Sequence, residues 1–404
     1  MSPRIDECRR QLLTIYREAI TRLSGQRLVS RSLLGGSFPE PFHVLSVGKA
    51  SLSMMRGALA DPQRVLGGLV VHPRQQEQLP FPDTIEVQAA EHPLPGEGSF
   101  AAGYRVLDFL DELPPSEPLL VLLSGGGSSL MEAPREGVSE DDLLSIHAWL
   151  LSSGLDIVEV NRVRQSLSAV KGGALARRLR DRPCRVLTLS DVPPDHPSAL
   201  ASGPFLPPIT GPLPGLPDWI SVLVGNDIPS ETPDIDHVSL ADSGRLASTA
   251  AELGQDIGLP VSVDDGWLEG DAADVGRRIA DTVLASAPGL FVWTGETTMT
   301  LPIAPGRGGR CQQLALAAAE RFAGHGDCLL LACGSDGLDG PEGDAGAIVD
   351  GGTVARGEAA GLGSEDALDW ADAGRFLEAS GDLVNTGPTD TNVNDLILAL
   401  RLPS

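Results

Sequence analysis

Short apolar runs along the chain each end in a loop that carries glycine, hydroxyl groups or charge. The runs are residues 44–47 before Gly48-Lys49, 119–123 before SGGGSS (124–129), 185–189 before Ser190-Asp191, 291–293 before TGETT, and 329–332 before CGSDGLDG. Stretches with helical spacing separate them, and Ser139 with Asp142 forms the short version of a capping box at one helix start. Alternating strands and helices are typical of βαβ units, so the chain is predicted to be an α/β protein with mainly parallel sheets.

A proline-rich stretch divides the 404-residue chain into two predicted lobes. It covers residues 204–217 (PFLPPITGPLPGLP), and such a stretch is typical of a linker or an ordered crossover. The predicted α/β domains cover residues 1–235 and 236–404. Because ligands of open α/β sheets bind at the carboxyl ends of the strands, the loops after the strands are the predicted site.

The charge balance excludes several classes of partner. With 55 acidic and 30 basic residues, the chain has a formal net charge of −25, which argues against nucleic acid and anionic membranes as partners. No stretch reaches the roughly 18 apolar residues of a membrane span, and we expect a cytoplasmic protein. The five cysteines are odd in number and lack metal-type spacing, so neither a disulfide framework nor a zinc site is predicted.

The glycine loop SGGGSS has two readings. Its glycines permit the backbone angles of an anion-binding nest, but a flexible turn explains the same composition. The loop lacks the lysine of a Walker A motif. The only lysines of the chain are Lys49 and Lys171, and every other basic residue is arginine, so both are candidates for a site that needs a compact ammonium group.

Several polar side chains outside the glycine loop are candidates for chemistry, each with a structural alternative. One predicted helical face carries Asn161, Arg164, Ser168 and Lys171, although a solvated charged face explains it as well. Asp191 at a strand end suits a Mg²⁺ ligand, a general base or an Asx-turn cap, and the acids of TGETT and GSDGLDG have the same alternatives.

Arg310 is predicted to lie just before a helix start. An arginine beside exposed helix N–H groups suits a phosphate or a carboxylate, and the alternative is a surface arginine.

Nine segments together resemble the class II glycerate kinases, also called glycerate 2-kinases, whose C-terminal part is the MOFRL domain. They run in family order over residues 44–396: SVGKAS, AAEHPLPGE, LLSGGGSSLMEAP, VNRVRQSLSAVKGG, LTLSDVPPDHPSALASGP, TGETTMT, GGRCQQLALAAA, CGSDGLDGPEGDAGA and PTDTNVNDL. The resemblance implies a Rossmann-like N-terminal lobe, a smaller MOFRL lobe and an active site in the cleft between them. It also implies ATP- and Mg²⁺-dependent phosphorylation of D-glycerate at the 2-hydroxyl.

The resemblance and the residues together assign roles. Lys49 and Arg310 match family residues regarded as catalytic, and Asp191 is the third predicted catalytic residue. The predicted nucleotide and phosphate ligands are Ser124, Gly125, Gly126, Gly127, Ser128, Ser129, Lys171, Glu296 and Asp336. Arg164, Asn161 and Ser168 are the predicted substrate ligands, and Asp191 and Asp336 are the predicted Mg²⁺ ligands. Whether the chain forms a homodimer stays open at this point.

Some residues depart from the family pattern. Cys311-Gln312-Gln313 stands where Asn-Gln-Glu is usual, TDTNVND replaces TGTNVND, and Gln165-Ser166 replaces Lys-His. Two other functions compete. Hydroxypyruvate reductase would need a nicotinamide site, and no GxGxxG fingerprint follows a strand. A non-catalytic nucleotide or sugar-acid sensor is disfavoured by the intact Lys49, Asp191 and SGGGSS.

Overall fold

The computed structural model describes residues 3–35, 38–76, 80–224, 231–255, 258 and 260–403. The chain divides into two compact units. One, here called the parallel-sheet unit, is Ser24–Leu240; the other, the mixed-sheet unit, combines Met1–Leu23 with Ala241–Ser404. The predicted domains divide at residues 235 and 236, near the second crossing between the units, but they include the first 23 residues in the N-terminal domain.

The described chain forms twelve strands. They are β1 (Phe42–Val47), β2 (Val65–Pro73), β3 (Ile85–Ala90), β4 (Leu119–Ser124), β5 (Cys184–Leu189), β6 (Asp236–Ala241), β7 (Val261–Leu268), β8 (Gly289–Gly295), β9 (Cys328–Gly334), β10 (Gly346–Asp350), β11 (Leu383–Val384) and β12 (Asp395–Arg401).

Helices connect and cover these strands. They are α1 (Pro3–Arg22), α2 (Gly25–Gly35), α3 (Ser51–Ala58), α4 (Glu97–Glu112), α5 (Gly127–Leu130), α6 (Glu140–Ser152), α7 (Ile157–Leu167), α8 (Ala174–Arg178), α9 (Asp218–Ser221), α10 (Ser243–Gln255), α11 (Ala272–Ala285), α12 (Arg310–Phe322), α13 (Thr353–Ala359), α14 (Ser364–Asp369) and α15 (Ala373–Ser380). Two 3-10 helices lie at Pro62–Arg64 and Pro197–Ser202.

The sheet of the parallel-sheet unit has the strand order β3-β2-β1-β4-β5-β6. Its pairs from β3 through β5 are parallel, as predicted. The central strand β4 (LLVLLS) is buried along its whole length, which is typical of a strand covered on both faces. Ser139 and Asp142 form the predicted capping box, since each backbone N–H donates to the other side chain, at 3.0 and 3.1 Å. The predicted α/β class is confirmed.

The sheet of the mixed-sheet unit has the order β11-β10-β9-β12-β8-β7. Only its β7–β8 pair is parallel among the described strands, so the expectation of a mainly parallel sheet is wrong here. The physical reason is the tail of the chain: β12 returns between β8 and β9 and runs antiparallel to both. An apolar run predicts a buried strand but not its direction.

The N-terminal helix α1 is fastened to the mixed-sheet unit by polar contacts. The Tyr16 hydroxyl donates to the Gly334 carbonyl at 2.7 Å. Arg9 is buried and pairs with Asp350 at 2.5 Å and with Asp382 at 2.7 Å. These contacts explain why the first 23 residues group with the C-terminal part of the chain.

Candidate active site

The parallel sheet reverses its strand order between β1 and β4, and two predicted site loops follow these strands. In this strand order a dinucleotide binds at the reversal, beyond the carboxyl ends of the strands. The Lys49 N–H donates to the Gly125 carbonyl at 2.8 Å, and the Ala50 N–H donates to Ser124 Oγ at 3.0 Å. The lysine loop and the glycine loop, which the sequence predicts separately, are therefore joined by hydrogen bonds.

The glycine loop is both a tight turn and a row of backbone donors. Gly126 has a left-handed backbone (φ +84°), and a Cβ there would lie 3.0 Å from Lys49 Cγ. Helix α5 begins at the next residue. Within the described part of the chain, the N–H groups of residues 125–128 donate to no protein acceptor. The two alternatives for SGGGSS are thus compatible, because the turn leaves its donors open.

A chain of hydroxyl and amide groups links the glycine loop to α7. Ser128 Oγ lies 2.7 Å from Ser202 Oγ, and the Ser202 hydroxyl donates to Asn161 Oδ1 at 2.7 Å. Two of the predicted ligands, Ser128 and Asn161, therefore belong to one hydrogen-bonded chain. Ser202 itself was not predicted; its backbone is left-handed at φ +58°, a feature that the sequence does not announce.

The predicted helical face from Asn161 to Lys171 is not continuous. Helix α7 ends at Leu167, and Ser168 already has an extended backbone at φ −110° and ψ 141°. Gly172 and Gly173 follow with positive φ. This part of the prediction is wrong because the backbone leaves the helix at Ser168 to pair with residues 133–135, where the Ala169 N–H donates to the Ala133 carbonyl at 2.8 Å.

Ser168 and Lys171 nevertheless meet at one buried carboxylate, that of Glu132. Glu132 Oε1 accepts from Ser168 Oγ at 2.5 Å and from the Ala133 N–H at 3.1 Å. Its Oε2 accepts from Lys171 Nζ and lies 3.2 Å from His147 Nε2. The group of Glu132, His147, Arg164, Ser168 and Lys171 is called the Glu132 cluster below.

Burial and charge set the protonation of this cluster. Burial favours the neutral form of Glu132, but the Lys171 ammonium and His147 lower the pKa of its carboxyl to about 2. Burial lowers the pKa of His147, which keeps its ring neutral. Lys171, a predicted phosphate ligand, is 1% exposed and pairs with Glu132. Sequence reasoning missed Glu132, whose signal is an acid within the apolar stretch LMEAP.

Arg164 is the cation of the cluster without a salt bridge among the described residues. Its Nε is buried and has no hydrogen-bond partner in the described chain. Burial lowers the pKa of its guanidinium, while the charge of Glu132 opposes that shift. Such a group is suited to an anion that supplies the missing hydrogen bonds.

Asp191 lies near the same end of the parallel sheet. It follows Leu189 of β5, which is the register partner of Ser124 at the end of β4. The carboxylate is partly buried. The sheet therefore brings Asp191 to the same edge as the glycine loop, as the strand-end argument predicts.

The mixed-sheet unit gathers a second set of charges around Arg310. Arg310 begins α12 and pairs with Glu296, and its Nη2 lies 3.6 Å from Asp395 Oδ2. Asp395 begins β12 opposite Gly295 and Gly334 in register, which brings it to the carboxyl ends of β8 and β9. Asp395 was not among the predicted site residues, although its motif PTDTNVNDL carries part of the resemblance.

The start of α12 is already occupied by a carboxylate. The Cys311 and Gln312 N–H groups donate to Asp339 at 3.0 and 2.8 Å. The expectation of exposed helix N–H groups beside Arg310 is therefore wrong, because Asp339 caps them. The departure at Cys311 is explained in part, since its contact with Asp339 uses a backbone N–H that any residue supplies.

Carboxylates outnumber cations in this region, and burial raises their pKa values. Burial, with the charges of Glu296, Asp339 and Asp336, raises the pKa of Asp395 to about 7 against the opposing effect of Arg310. Burial raises the pKa of Asp339 to about 6, although its backbone hydrogen bonds oppose the shift. Both acids bind protons at a pH where an exposed aspartate is ionised.

No preformed metal centre is present in the described chain, where no group of three His, Cys, Asp or Glu side chains could hold an ion. Asp336 is partly buried and accepts the Leu338 N–H at 3.0 Å. Asp191 and Asp336, the predicted Mg²⁺ ligands, belong to different units.

Among the helices that the structure describes, none has the length and apolar character needed to cross a membrane.

Two protein families match the chain. The family described as a domain of unknown function (DUF4147) matches residues 11–213, and the MOFRL family matches residues 289–395. Glu132, Arg164 and Lys171 lie within the first range, and Glu296 and Arg310 lie within the second. Both groups of charged residues therefore lie within the matched ranges.

Relatives with named activities, one of them with a solved structure, are similar to this protein over most of the chain. D-glycerate 2-kinase of Thermotoga maritima is 35% identical over 382 residues, covering 88% of this chain and 90% of that protein. A putative hydroxypyruvate reductase of Agrobacterium vitis is 35% identical over 381 residues, covering 87% and 85%. The crystal structure of glycerate kinase from Thermotoga maritima matches with a TM-score of 0.86 and 31% identity, covering 98% of this chain and 100% of that one. The chain therefore belongs to the class II glycerate kinase family with a MOFRL domain.

Proposed function

We propose that the chain is an ATP-dependent kinase that transfers the γ-phosphoryl group to the 2-hydroxyl of D-glycerate, giving 2-phosphoglycerate and ADP. The observation that carries this proposal is the pair of loops at the strand reversal. Lys49 is hydrogen-bonded through its backbone to a glycine loop whose successive N–H groups are open in the described chain. Open N–H groups beside an ammonium suit the phosphates of a nucleotide.

Phosphoryl transfer depends on positioning and charge more than on covalent chemistry by the protein. The loop of residues 124–129 binds the phosphates, and Lys49 stabilises the negative charge that develops on the transferred group. Arg310, held by Glu296 and Asp395, supplies the second cation. Arg164 binds the substrate carboxylate, and Asn161 and Ser168 orient the substrate or the groups around it.

Asp191 is proposed as the base that accepts the proton of the 2-hydroxyl. The hydroxyl oxygen then bonds to the γ-phosphorus, and the bond from that phosphorus to the β-phosphate oxygen breaks to release ADP. This role rests on the position of Asp191 directly beyond β5 and on its partial burial.

Mg²⁺ fits the donors that the chain offers. Mg²⁺ in kinases is held by one or two carboxylates together with substrate phosphates and waters, so a preformed group of three ligands is not required. Asp336 or Asp191 would provide the carboxylate, and the ion would supply positive charge at the phosphates. Loss of activity with EDTA and its recovery with excess Mg²⁺ would test this requirement.

A reductase is the second candidate because a relative from Agrobacterium vitis carries the name putative hydroxypyruvate reductase. A nicotinamide site of the usual kind has glycines spaced as GxGxxG after a strand, whereas the loop after β4 has three consecutive glycines. The loop geometry therefore favours the kinase. A non-catalytic sensor is the remaining alternative and predicts binding without turnover.

One pair of assays separates these candidates. The first measures ADP release from MgATP with and without D-glycerate, and the second measures NADH consumption with hydroxypyruvate. The proposal expects glycerate-dependent ADP release and no NADH consumption. NADH consumption without ADP release would support the reductase, and tight binding of both kinase substrates without ADP release would support the sensor.

A further inference from the structure

The Glu132 cluster contains more positive than negative charge. Lys171 and Arg164 are its basic side chains, Glu132 is its carboxylate, and Lys171 pairs with Glu132. Burial lowers the pKa of Lys171 and of His147, while Glu132 opposes both shifts. Arg164 is half-buried and its Nε is buried without a partner in the described chain. A charge removed from water without a partner is costly, and proteins relieve it by pairing or by binding a counter-ion. The excess of one positive charge is unusual inside a chain with a net charge of −25.

The excess positive charge is assigned to Arg164 because other groups already occupy both carboxylate oxygens of Glu132. The Glu132 side chain is inaccessible to solvent and receives Ser168, the Ala133 N–H, Lys171 and His147. A carboxylate has about four lone-pair sites, so these contacts fill its capacity. Arg164 is close enough to Glu132 for that charge to raise its pKa against the effect of burial, but it forms no salt bridge with any described residue.

We propose that the Glu132–Lys171 pair sets the charge of the substrate site: Lys171 neutralises Glu132 and thereby leaves Arg164 available to the carboxylate of the substrate. This inference rests on the proposed function, which assigns the substrate carboxylate to Arg164. Lys171 is then a positioning residue that acts through Glu132 and Arg164, and it does not itself contact phosphate. Because Lys171 is buried and paired with Glu132, its ammonium cannot also contact a phosphate.

The inference predicts an asymmetry between the two members of the ion pair. In Lys171→Met, Glu132 loses its cation and pairs with Arg164, so the anion site is lost. In Glu132→Gln, no carboxylate competes for Arg164, so the anion site remains. The double variant Glu132→Gln/Lys171→Met removes both charges and leaves Arg164 as it is in the wild type. A purely structural ion pair would predict comparable damage from both single substitutions.

The experiment measures kcat and the KM values for D-glycerate and MgATP at pH 8, where His147 is neutral. Lys171→Met is expected to raise the KM for D-glycerate by at least about tenfold, as for loss of a charge-assisted contact, with little change in the KM for MgATP. The double variant is expected to return the KM for D-glycerate to within about threefold of the wild type, since neither a competing carboxylate nor an unpaired ammonium remains beside Arg164.

Arg9→Met is the matched control. Arg9 is also a buried cation and pairs with the carboxylates of Asp350 and Asp382, but it lies in the mixed-sheet unit. It is expected to lower thermal stability without changing the KM for D-glycerate. Thermal melts of all variants report whether they fold, and the neutral double variant tests the inference even if Lys171→Met does not fold. A double variant that folds but binds D-glycerate about tenfold more weakly than the wild type would overturn the inference.

Binding measured without turnover separates this inference from the proposed function. Thermal-shift titrations of wild type and variants use D-glycerate and, separately, sulfate as a simple anion. A wild type that binds D-glycerate but releases no ADP would contradict the kinase. The proposed role of the Glu132–Lys171 pair would still be supported in that case if the variants follow the predicted order of affinity. A wild type that binds neither anion would contradict the inference itself.

Discussion

The ends of the two sheets hold opposite charge balances. In the parallel-sheet unit, the cations of the Glu132 cluster outnumber its carboxylate, and the glycine loop adds open backbone donors. In the mixed-sheet unit, Arg310 is surrounded by Glu296, Asp395 and other acids, and Asp339 already caps α12. The first arrangement is suited to anions. The second is suited to protons or to a cation, and Arg310 pairs there with Glu296 and Asp395.

The difference shows that an excess of acidic residues across a whole chain does not fix the sign of a local site. Net charge limits the classes of macromolecular partner, but the site depends on which charges are buried and paired. The following substitutions test each side of the contrast, from the largest expected effect to the smallest.

Lys49→Arg should have the largest effect on activity. A planar guanidinium keeps the charge of Lys49 but does not reproduce the compact geometry of its ammonium. We expect kcat/KM to fall on the order of 10³-fold, as for loss of a key electrostatic contact in a transition state, with an unchanged melting temperature. Arg178→Lys, at an exposed ion pair with Asp111, is the control and should be neutral. Turnover like that of the wild type in Lys49→Arg would remove Lys49 from the mechanism.

Gly126→Ala should separate backbone strain from displacement of Lys49. Gly126 and Gly154 both have left-handed backbones (φ +84° and +73°), but only at Gly126 would a Cβ meet neighbours, Lys49 Cγ at 3.0 Å among them. Each alanine should cost about 1–2 kcal/mol in stability from its backbone conformation. Only Gly126→Ala should also lower kcat/KM, by about 10²-fold for a small misplacement of a catalytic group. Equal activity of the two variants would show that the contact between Gly126 and Lys49 is unimportant.

Asp395→Asn tests the acidic side through pH. The folded pKa of Asp395 is raised to about 7 from its ordinary value of 3.8, so the folded state binds a proton that the unfolded state releases between these values. This group therefore favours folding fully below pH 3.8, and its contribution is lost as pH rises through 7. Relative to wild type, Asp395→Asn should gain unfolding free energy from pH 5 to pH 8 in urea titrations. The exposed Asp281→Asn should show no such gain, and a pH-independent difference for Asp395→Asn would contradict the assignment.

Gln313→Glu should have the smallest effect on catalysis. The Gln313 amide is buried and donates to the Leu368 carbonyl at 2.8 Å, which a carboxylate cannot do. Restoring the residue usual in the family should therefore lower stability by about 1–3 kcal/mol, the cost of an unsatisfied buried group, with kcat/KM nearly unchanged. Thermal melts and steady-state assays check both expectations against the exposed Gln75→Glu. A variant more stable than the wild type would show that this chain has not adapted to glutamine.

Local patterns predicted the features that depend on short stretches of sequence. The capping box at Ser139 and the buried strand β4 follow from spacing and composition. The contact between the Lys49 loop and the glycine loop follows from parallel strands, whose carboxyl ends meet at one edge. The expected helical face was wrong because the helical spacing of the sequence continues past Leu167 whereas the helix ends there. The pairing of Ser168 with Pro134 that replaces the helix depends on a segment about 30 residues away, so the local sequence does not reveal it.

Features that depend on distant packing were not predictable. Glu132 and Asp395 are ordinary acids in the sequence, and their burial and partners arise from segments far away along the chain. The periodicity of α1 indicates an apolar face but not which unit it covers. The direction of β12 is likewise set by the path of the chain before it. An apolar run has the same pattern in both directions and therefore does not indicate whether a strand is parallel or antiparallel to its neighbours.

The most direct test of the account identifies the phosphorylated product. The protein is incubated with MgATP and D-glycerate, and phosphorus NMR distinguishes 2-phosphoglycerate from 3-phosphoglycerate by the coupling of phosphorus to the neighbouring protons. The proposed kinase produces 2-phosphoglycerate and ADP in equal amounts. Formation of 3-phosphoglycerate would contradict the assigned hydroxyl, and the absence of any phosphorylated product would contradict the kinase.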